Sequence, residues 1–585
     1  MRVRRLWIEN LRGIRQLDWV LPIEQRLIAL VGPGDSGKST ILDAIHYLLG
    51  DRWSIPFADT DFFGVNVDDP IVIKALLIDI PASLRKDTAF GLWLSGVDQD
   101  GEPQQDPEDE FEPALIVQLT VDASLEPRWS VVRLDGTEQF LTSSQRRAFS
   151  TFKVDDRTDA QLRWSRNSPL GRMSSEDGGE RDALAAASRA AREALVDHEN
   201  SSLADLAARV QDRTNQIGGG SFTDIKPGLD TSRSAMGAAL ALYEDVIPLT
   251  SFGLGSRRLT SLAVQQLAAG ARSVAVVDEL ESGLEPHRAV RLLNYLLSDD
   301  GYSQVLVTTH SPVIVEQAQI ENLATVQSQA GIVTVTSLGD ASEPMLRVRR
   351  SRPSSLLARR VVVAEGKTEH GLLIECIEAW DANRASMGLS TSAGEGLAIQ
   401  DGMGGSEVAP RVQALADLGF VVAGFLDNDD RSIDAAVGAA EAAGAPMIRW
   451  DHGCKTETQI CSQLSAKGLT AFIKLGVHQR SSEDTVLQDL NAVDPSKPVP
   501  SLDVEDWLIL NFTLEEARDR IAAGSVNRKW FKEVEGGRVL GRWIVKNYES
   551  AQLSATVAHL EEVRALVYPD DAESPVEAGD EPDDA

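Results

Sequence analysis

The chain has 585 residues, 43% hydrophobic and 25% charged, enough for two to four domains, and it holds no apolar run long enough to cross a bilayer. Its three cysteines, Cys376, Cys454 and Cys461, cannot build a disulfide framework and match no zinc spacing, so a reducing cytoplasm is the expected compartment. A formal net charge of −32 argues against nucleic-acid binding through a global field, and any DNA contact needs a local basic surface or bridging metal ions.

In chain order, "MRVRRLWIENLRGI" has no apolar leader core and reads as the start of a strand. "LIALVGPGDSGKSTILDAI" (27–45) reads as a buried strand, a glycine-bearing loop and a helix. Gly32, Pro33, Gly34, Asp35, Ser36, Gly37, Lys38 and Ser39 fit G-x-x-x-x-G-K-[ST] without a mismatch, and Thr40 follows inside the helix. Backbone N–H groups of such a loop, with the helix N-terminus, take nucleotide phosphates; Lys38 reaches the β- and γ-phosphates and Ser39 ligates Mg²⁺. "DTDFFG" (59–64) follows with no assigned role.

The stretch 98–113 carries eight acidic residues and no basic one, as does 569–585; together they account for half of the net charge. Both are expected to be solvated and largely disordered. "ALIVQLTV" and "RWSVVRL" are strand-like. From about 165 to 245, and most clearly over 181–210, an Ala/Leu/Arg/Glu pattern at helical spacing predicts a helical insertion, either a packed surface pair or a dimerisation element. "SVAVVDE" (273–279) is a buried strand ending in two acids: Asp278 is expected to hold Mg²⁺ through water and Glu279 to polarise the attacking water. "ESGLEP" follows, then "VLVTTHSP" (305–312), which places His310 where a γ-phosphate sensor belongs.

"RVRRSRPSSLLARR" (347–360) is basic and Pro/Ser-bearing and is read as a linker, ending a first domain at 346. A second α/β pattern runs over 361–568. "VVVAEG" ends a buried strand at Glu365, and "VVAGFLDNDD" ends another at Asp427 and Asp429. Carboxylates at the C-terminal ends of parallel strands converge on one point and suit Mg²⁺ or Mn²⁺. Two such ions can activate a water and stabilise the leaving oxygen of a phosphodiester. "IQDGMGGSE" between them is either a close-approach turn or a plain loop. Glu457 is either a further metal ligand or a helix-cap acid. Lys532, with Lys546 as rival, is a candidate to stabilise phosphate charge.

The ordered set "IENLRGI", the phosphate loop, "VVDE", "ESGLEP" and "TTHSP" resembles the ABC-type ATPase heads of the SMC/RecF-like superfamily. That resemblance implies a signature loop closing the site of a second subunit; Gly255, Ser256 and Arg257 in "FGLGSRRLTSLA" occupy its place, without the usual L-S-G-G-Q string. The E-G and D-x-D pair with the glycine-rich turn resembles a Toprim domain. An ABC/SMC-like head with a helical insertion followed by a Toprim (Rossmann-like) domain is similar to the OLD nucleases, a group that includes the ATPase–nuclease subunit of the Gabija anti-phage system and OLD-like retron effectors. What this implies is an ATP-binding, ATP-hydrolysing, Mg²⁺/Mn²⁺-dependent endonuclease on double-stranded DNA, in anti-phage defence. It further implies a cytoplasmic homodimer or homotetramer, with a helicase or reverse-transcriptase partner from a defence operon and no membrane. The competing readings are a DNA-repair or chromosome ATPase whose second half binds DNA without cutting, a topoisomerase or primase, and a regulator that ATP holds off. A topoisomerase lacks its cleavage-domain tyrosine here, and a primase lacks its accessory module.

Overall fold

The structure is a computed structural model. It describes residues 1–570 except 51–54, 109, 147, 150, 155–158, 160, 165–167, 175–200, 219–221, 231–238, 270–272 and 299–300. The chain divides into two units, Met1–Asp340 and Ala341–Ala585.

The first unit is built on a large curled sheet. Its centre is parallel, in the order Thr151–Val154, Ser273–Val277, Tyr302–Thr308, Leu27–Val31 and Leu323–Gln329. Leu27–Val31 (LIALV) and Ser273–Val277 (SVAVV) are buried at every residue, as strands covered on both faces must be. Past Ile332–Ser337 the sheet continues through Ile14–Val20 into antiparallel strands Arg2–Leu11, Ile71–Ile78, Glu112–Val121 and Pro127–Val132. The helix Lys38–Leu49 leaves the end of Leu27–Val31 and buries Ile41, Leu42, Ile45, Leu48 and Leu49, one stripe at helical spacing.

Three expectations need correction here. The described residues of the acidic stretch 98–113 are folded: Ser95–Val97 pairs with Pro103–Gln104 and Glu112–Val121, and Asp98 accepts the Glu102 N–H at 2.8 Å. Its counter-charge comes from distant strands. Arg5 pairs with Glu102 at 2.6 Å, Arg133 with Asp106 at 2.5 Å, and Arg4 donates to the Gln99 carbonyl. The insertion is not purely helical. Its described part sets helices Pro169–Ser174 and Ser201–Gly218 beside a small antiparallel sheet of Arg163–Trp164, Ala239–Glu244, Ile225–Asp230 and Ile247–Pro248. A core of Leu162, Trp164, Val210, Ile225 and Leu242 joins them. Most of the alanine-rich pattern, 175–200, lies outside the described residues, as does the acidic tail from 571.

The third correction concerns 347–360. It belongs to the second unit, as the helix Glu343–Ser351 and the turn Pro353–Leu357. Val348 and Leu356 are buried, Arg347 pairs with Glu407, and Gln400 donates to the Val348 carbonyl at 3.0 Å. The arginines mark the wet face of a helix.

The second unit holds a four-stranded, all-parallel sheet in the order Leu397–Asp401, Arg360–Ala364, Val421–Leu426, Met447–Arg449. Helices follow the strands, and a helical region from Thr456 to Val567 completes a core around Trp450, Phe472, Trp507 and Phe531. The helices Lys367–Ser386 and Val534–Lys546 meet through glycines. A Cβ on Gly371 would lie 2.1 Å from the Val534 carbonyl oxygen, and one on Gly537 would lie 2.1 Å from that of Thr368. Gly537 and Gly541 of "VEGGRVLG", with Gly371 opposite, therefore form a packing seam, and it sets where Lys532, just before the second helix, stands relative to Glu365, just before the first.

Candidate functional site

In the first unit, three adjacent parallel strands deliver the nucleotide residues at their C-terminal ends. The phosphate loop needs glycine at its first position. Gly32 has φ 148°, and a Cβ there would lie 2.4 Å from the Val326 carbonyl oxygen. Lys38, 4% exposed, turns its ammonium into the loop, donating to the carbonyls of Gly32 at 3.0 Å and Pro33 at 2.5 Å and to Ser36 Oγ at 3.2 Å. Burial pushes Lys38 down to about 8, with Asp35 and Asp278 opposing. A triphosphate would supply the anion that this ammonium lacks, so the loop fits the group.

Ser39 Oγ donates to Asp278 Oδ1 at 2.9 Å, and Thr308 Oγ1 donates to the same oxygen at 2.6 Å. This pair is where Mg²⁺ would be held. Glu279 has φ 47°, a left-handed conformation unusual for a glutamate, and its N–H donates to Thr308 Oγ1 at 2.7 Å. Glu281 accepts from Thr309 Oγ1 at 2.7 Å and from the His310 N–H at 2.6 Å, leaving the His310 side chain exposed. Thr308 and Glu281, which sequence reading passed over, thus fix the two acids and the histidine. Their signal was present in "TTH" and "ESG", but a hydroxyl or carboxylate that works through its neighbours has no spacing rule of its own.

The helix Leu254–Ala269 carries Gly255 and Ser256 at its start. A Cβ on Gly255 would lie 2.2 Å from the Gly283 carbonyl oxygen, so this glycine permits contact with the "ESGLEP" loop. Arg257 pairs with Asp159, and Arg258 donates to the Asp278 carbonyl. Within "DTDFFG", Asp61 holds Arg12, whose guanidinium also reaches Asp43 at 2.6 Å and Tyr47 Oη at 2.8 Å.

In the second unit, Glu365 ends Arg360–Ala364 and Asp427 ends the neighbouring Val421–Leu426. The Asp427 N–H donates to Glu365 Oε2 at 2.8 Å, and the Glu365 N–H donates to the Phe425 carbonyl at 2.8 Å. Gly404 N–H donates to the Glu365 carbonyl at 2.8 Å, so the glycine-rich turn is tied to the same strand end. Asp427 Oδ1 accepts from the Thr456 N–H at 2.9 Å, and Thr456 Oγ1 donates to Glu369 Oε1 at 2.8 Å. Glu369 and Thr456 were missed in the sequence, because both come from helix starts that only the fold brings to these strand ends.

Glu457 is 2% exposed, and its Oε1 is buried without a hydrogen-bond partner. Burial, then the like charges of Glu369, Glu365 and Glu457, pushes Asp427 up to about 9; Glu365 and Glu457 are also raised, chiefly by burial. Lys532 opposes all three shifts, whereas Lys546 ends the helix Val534–Lys546. Asp429 points to Lys455, at 3.0 Å. Among the described residues, no three His, Cys, Asp or Glu side chains are gathered closely enough to hold an ion as they stand. The donor chemistry nonetheless fits a hard cation: the carboxylates repel one another, and a buried oxygen has no partner.

Among the described residues no helix is long and apolar enough to cross a membrane. Residues 27–316 match the family described as "AAA domain, putative AbiEii toxin, Type IV TA system". No curated protein matches the chain. Among solved structures it is similar to an Smc head bound to the C-terminal winged-helix domain of ScpA (16% identity, TM-score 0.37, 58% of this chain and 100% of that one). It is also similar to an Smc head with an extended coiled coil bound to the C-terminal domain of ScpA derived from Pyrococcus furiosus (15%, 0.37, 59% and 99%). A third likeness is the SMC head domain from Thermotoga maritima (15%, 0.29, 58% and 99%). With its phosphate loop between a buried parallel strand and a helix, and an acid-ended strand two places away in the same sheet, the first unit has a P-loop nucleotide-binding arrangement, and its residues 27–316 are similar to that AAA domain family.

Proposed function

We propose that this protein is an ATP-controlled, divalent-metal-dependent DNA endonuclease of the OLD type, acting in anti-phage defence. The observation that carries the reading is the second site: the Asp427 N–H donates to the Glu365 carboxylate at the ends of adjacent parallel strands, Thr456 ties Glu369 to Asp427, and the buried Glu457 adds its charge to theirs. An ATPase head alone has no use for such a cluster. The E-G and D-x-D spacing that resembles a Toprim domain supports the same reading.

Glu365, Asp427 and Glu457, joined by Glu369, would hold Mg²⁺ or Mn²⁺, which supplies Lewis-acid activation of water and of the scissile phosphate, with Asp429 at the outer edge of the cluster beside Lys455. Lys532 would meet the charge that develops on the phosphate. In the first unit Gly32–Thr40 would bind ATP, Ser39 and Asp278 its Mg²⁺, Glu279 would polarise water and His310 would sense the γ-phosphate. Gly255 and Ser256 would close the site of a second copy, which implies a homodimer or homotetramer in the cytoplasm. Double-stranded DNA is the proposed substrate, with a helicase or reverse transcriptase as the proposed operon partner.

The second reading, a DNA-associated ATPase without cleavage, draws on the ATPase fold alone. Incubating purified protein with supercoiled plasmid and Mg²⁺ or Mn²⁺, with and without ATP, separates the two. Nicked or linear product that is lost in Glu365→Gln and changes with ATP supports the endonuclease; ATP turnover without product under any metal condition supports the alternative.

A further inference from the structure

We infer that Lys455 is a built-in cation of the carboxylate cluster. Its ammonium holds the place beside Asp429 that a second metal ion would take, so the cluster binds a single divalent ion. The inference rests on the metal-dependent reading above and concerns how many ions that site admits.

Lys455 is fixed by the chain around it. The segment Trp450–Thr456 is stitched along the Asp427–Asp429 loop: Asn428 Nδ2 donates to the Trp450 carbonyl at 2.8 Å, Gly453 N–H to the Asn428 carbonyl at 2.8 Å, and Asn428 N–H to the Cys454 carbonyl at 2.9 Å. The Thr456 N–H then closes the seam on Asp427. Lys455 is the N-cap residue of the helix Thr456–Gln463, which leaves its side chain beside the carboxylates, with Nζ 3.0 Å from Asp429 Oδ2. Asp427 and Glu365 also act on its charge. The residue is a positioned cation of the cluster.

The inner and outer parts of the cluster then differ. Inside, Glu457 offers a buried oxygen with no partner, and burial and like charges disfavour the charged forms of Asp427 and Glu365; one divalent ion would answer both. Outside, Asp429 is the exposed carboxylate, and its counter-charge is already present in the chain. An ion at that outer place would meet the ammonium at a few ångströms, a repulsion worth more than a factor of ten in affinity even at an effective dielectric near ~20. Two ions need the second place vacated, and one does not.

The test uses the full chain without nucleotide in an Asp278→Asn background, which removes the carboxylate that would hold Mg²⁺ with Ser39 in the first unit. Free Mn²⁺ is measured by its solution EPR signal during titration, with calorimetry in parallel. The expected result is one saturable Mn²⁺ per chain in the parent and a second Mn²⁺ site both in Lys455→Gln, where only the repelling charge is removed, and in Lys455→Glu, where a carboxylate takes its place. Two ions bound with Lys455 in place, or Lys455→Glu and Lys455→Gln both indistinguishable from the parent, overturn the inference and leave the metal-dependent reading standing. Absence of any binding that Asp427→Asn abolishes overturns both.

Discussion

Replacing Asp427 with asparagine should stabilise the second unit while removing its metal chemistry. Asp427 is 5% exposed, and its carboxyl is pushed from 3.8 up to about 9 by burial and by Glu369, Glu365 and Glu457. A folded-state pKa raised in this way gives stability that is complete below the unfolded value and is lost as pH rises towards the folded one. Taken alone, a shift of that size would cost about 4 kcal/mol at pH 7. The neighbouring carboxyls share the proton, so about 2 kcal/mol is the reasonable share of one residue. Asparagine keeps the oxygen that accepts the Thr456 N–H, so the substitution removes the cost of protonating the carboxyl and little else. Calorimetry without divalent ions should place the transition of the second unit roughly 4–8 °C higher in Asp427→Asn at pH 7. The gap should vanish near pH 4, widen with pH, level off above about 9 and shrink when Mn²⁺ is added to the parent protein. A variant that melts lower, or a gap that ignores pH, would refute the electrostatic reasoning.

Two further outcomes follow from the geometry. Lys38 is held down near about 8 by burial, and bound triphosphate should restore its charge; ATP binding at pH 9 should therefore take up protons, seen as a binding enthalpy that depends on buffer ionisation heat, and should not do so at pH 6.5. Gly537→Ala places a methyl 2.1 Å from the Thr368 carbonyl oxygen, so the helices Lys367–Ser386 and Val534–Lys546 must separate. That should cost about 1–3 kcal/mol in denaturant titration of the second unit and weaken cleavage by withdrawing Lys532 from Glu365.

What could be read in the sequence was what the chain keeps local. The phosphate loop, its flanking strand and helix and the acid after "SVAVV" lie within a few residues of the structure they form, and a run of five buried residues announces itself. Glu365 and Asp427 are sixty-two positions apart, but each follows an apolar strand, so parallel pairing was enough to bring the two strand ends together. Glu369, Thr456 and Lys455 were not legible in that way, because each enters from a helix start whose direction only the packed core decides. The acidic stretch 98–113 misled for a related reason: its composition speaks of disorder, while the arginines that pin it, Arg4, Arg5 and Arg133, come from other segments of the chain. The arginines of 347–360 look like a linker only until Val348 and Leu356 are seen to be buried beneath them.

The claim on which the rest depends is that Glu365 and Asp427 together hold a divalent cation. Crystals of the protein soaked in Mn²⁺ and measured at an energy where manganese scatters anomalously test it directly. The expected map has a peak within metal–oxygen bonding distance of both carboxylates, absent in Asp427→Asn crystals. An anomalous peak beside Ser39 and Asp278 in the presence of nucleotide, with none at Glu365 and Asp427, would contradict it.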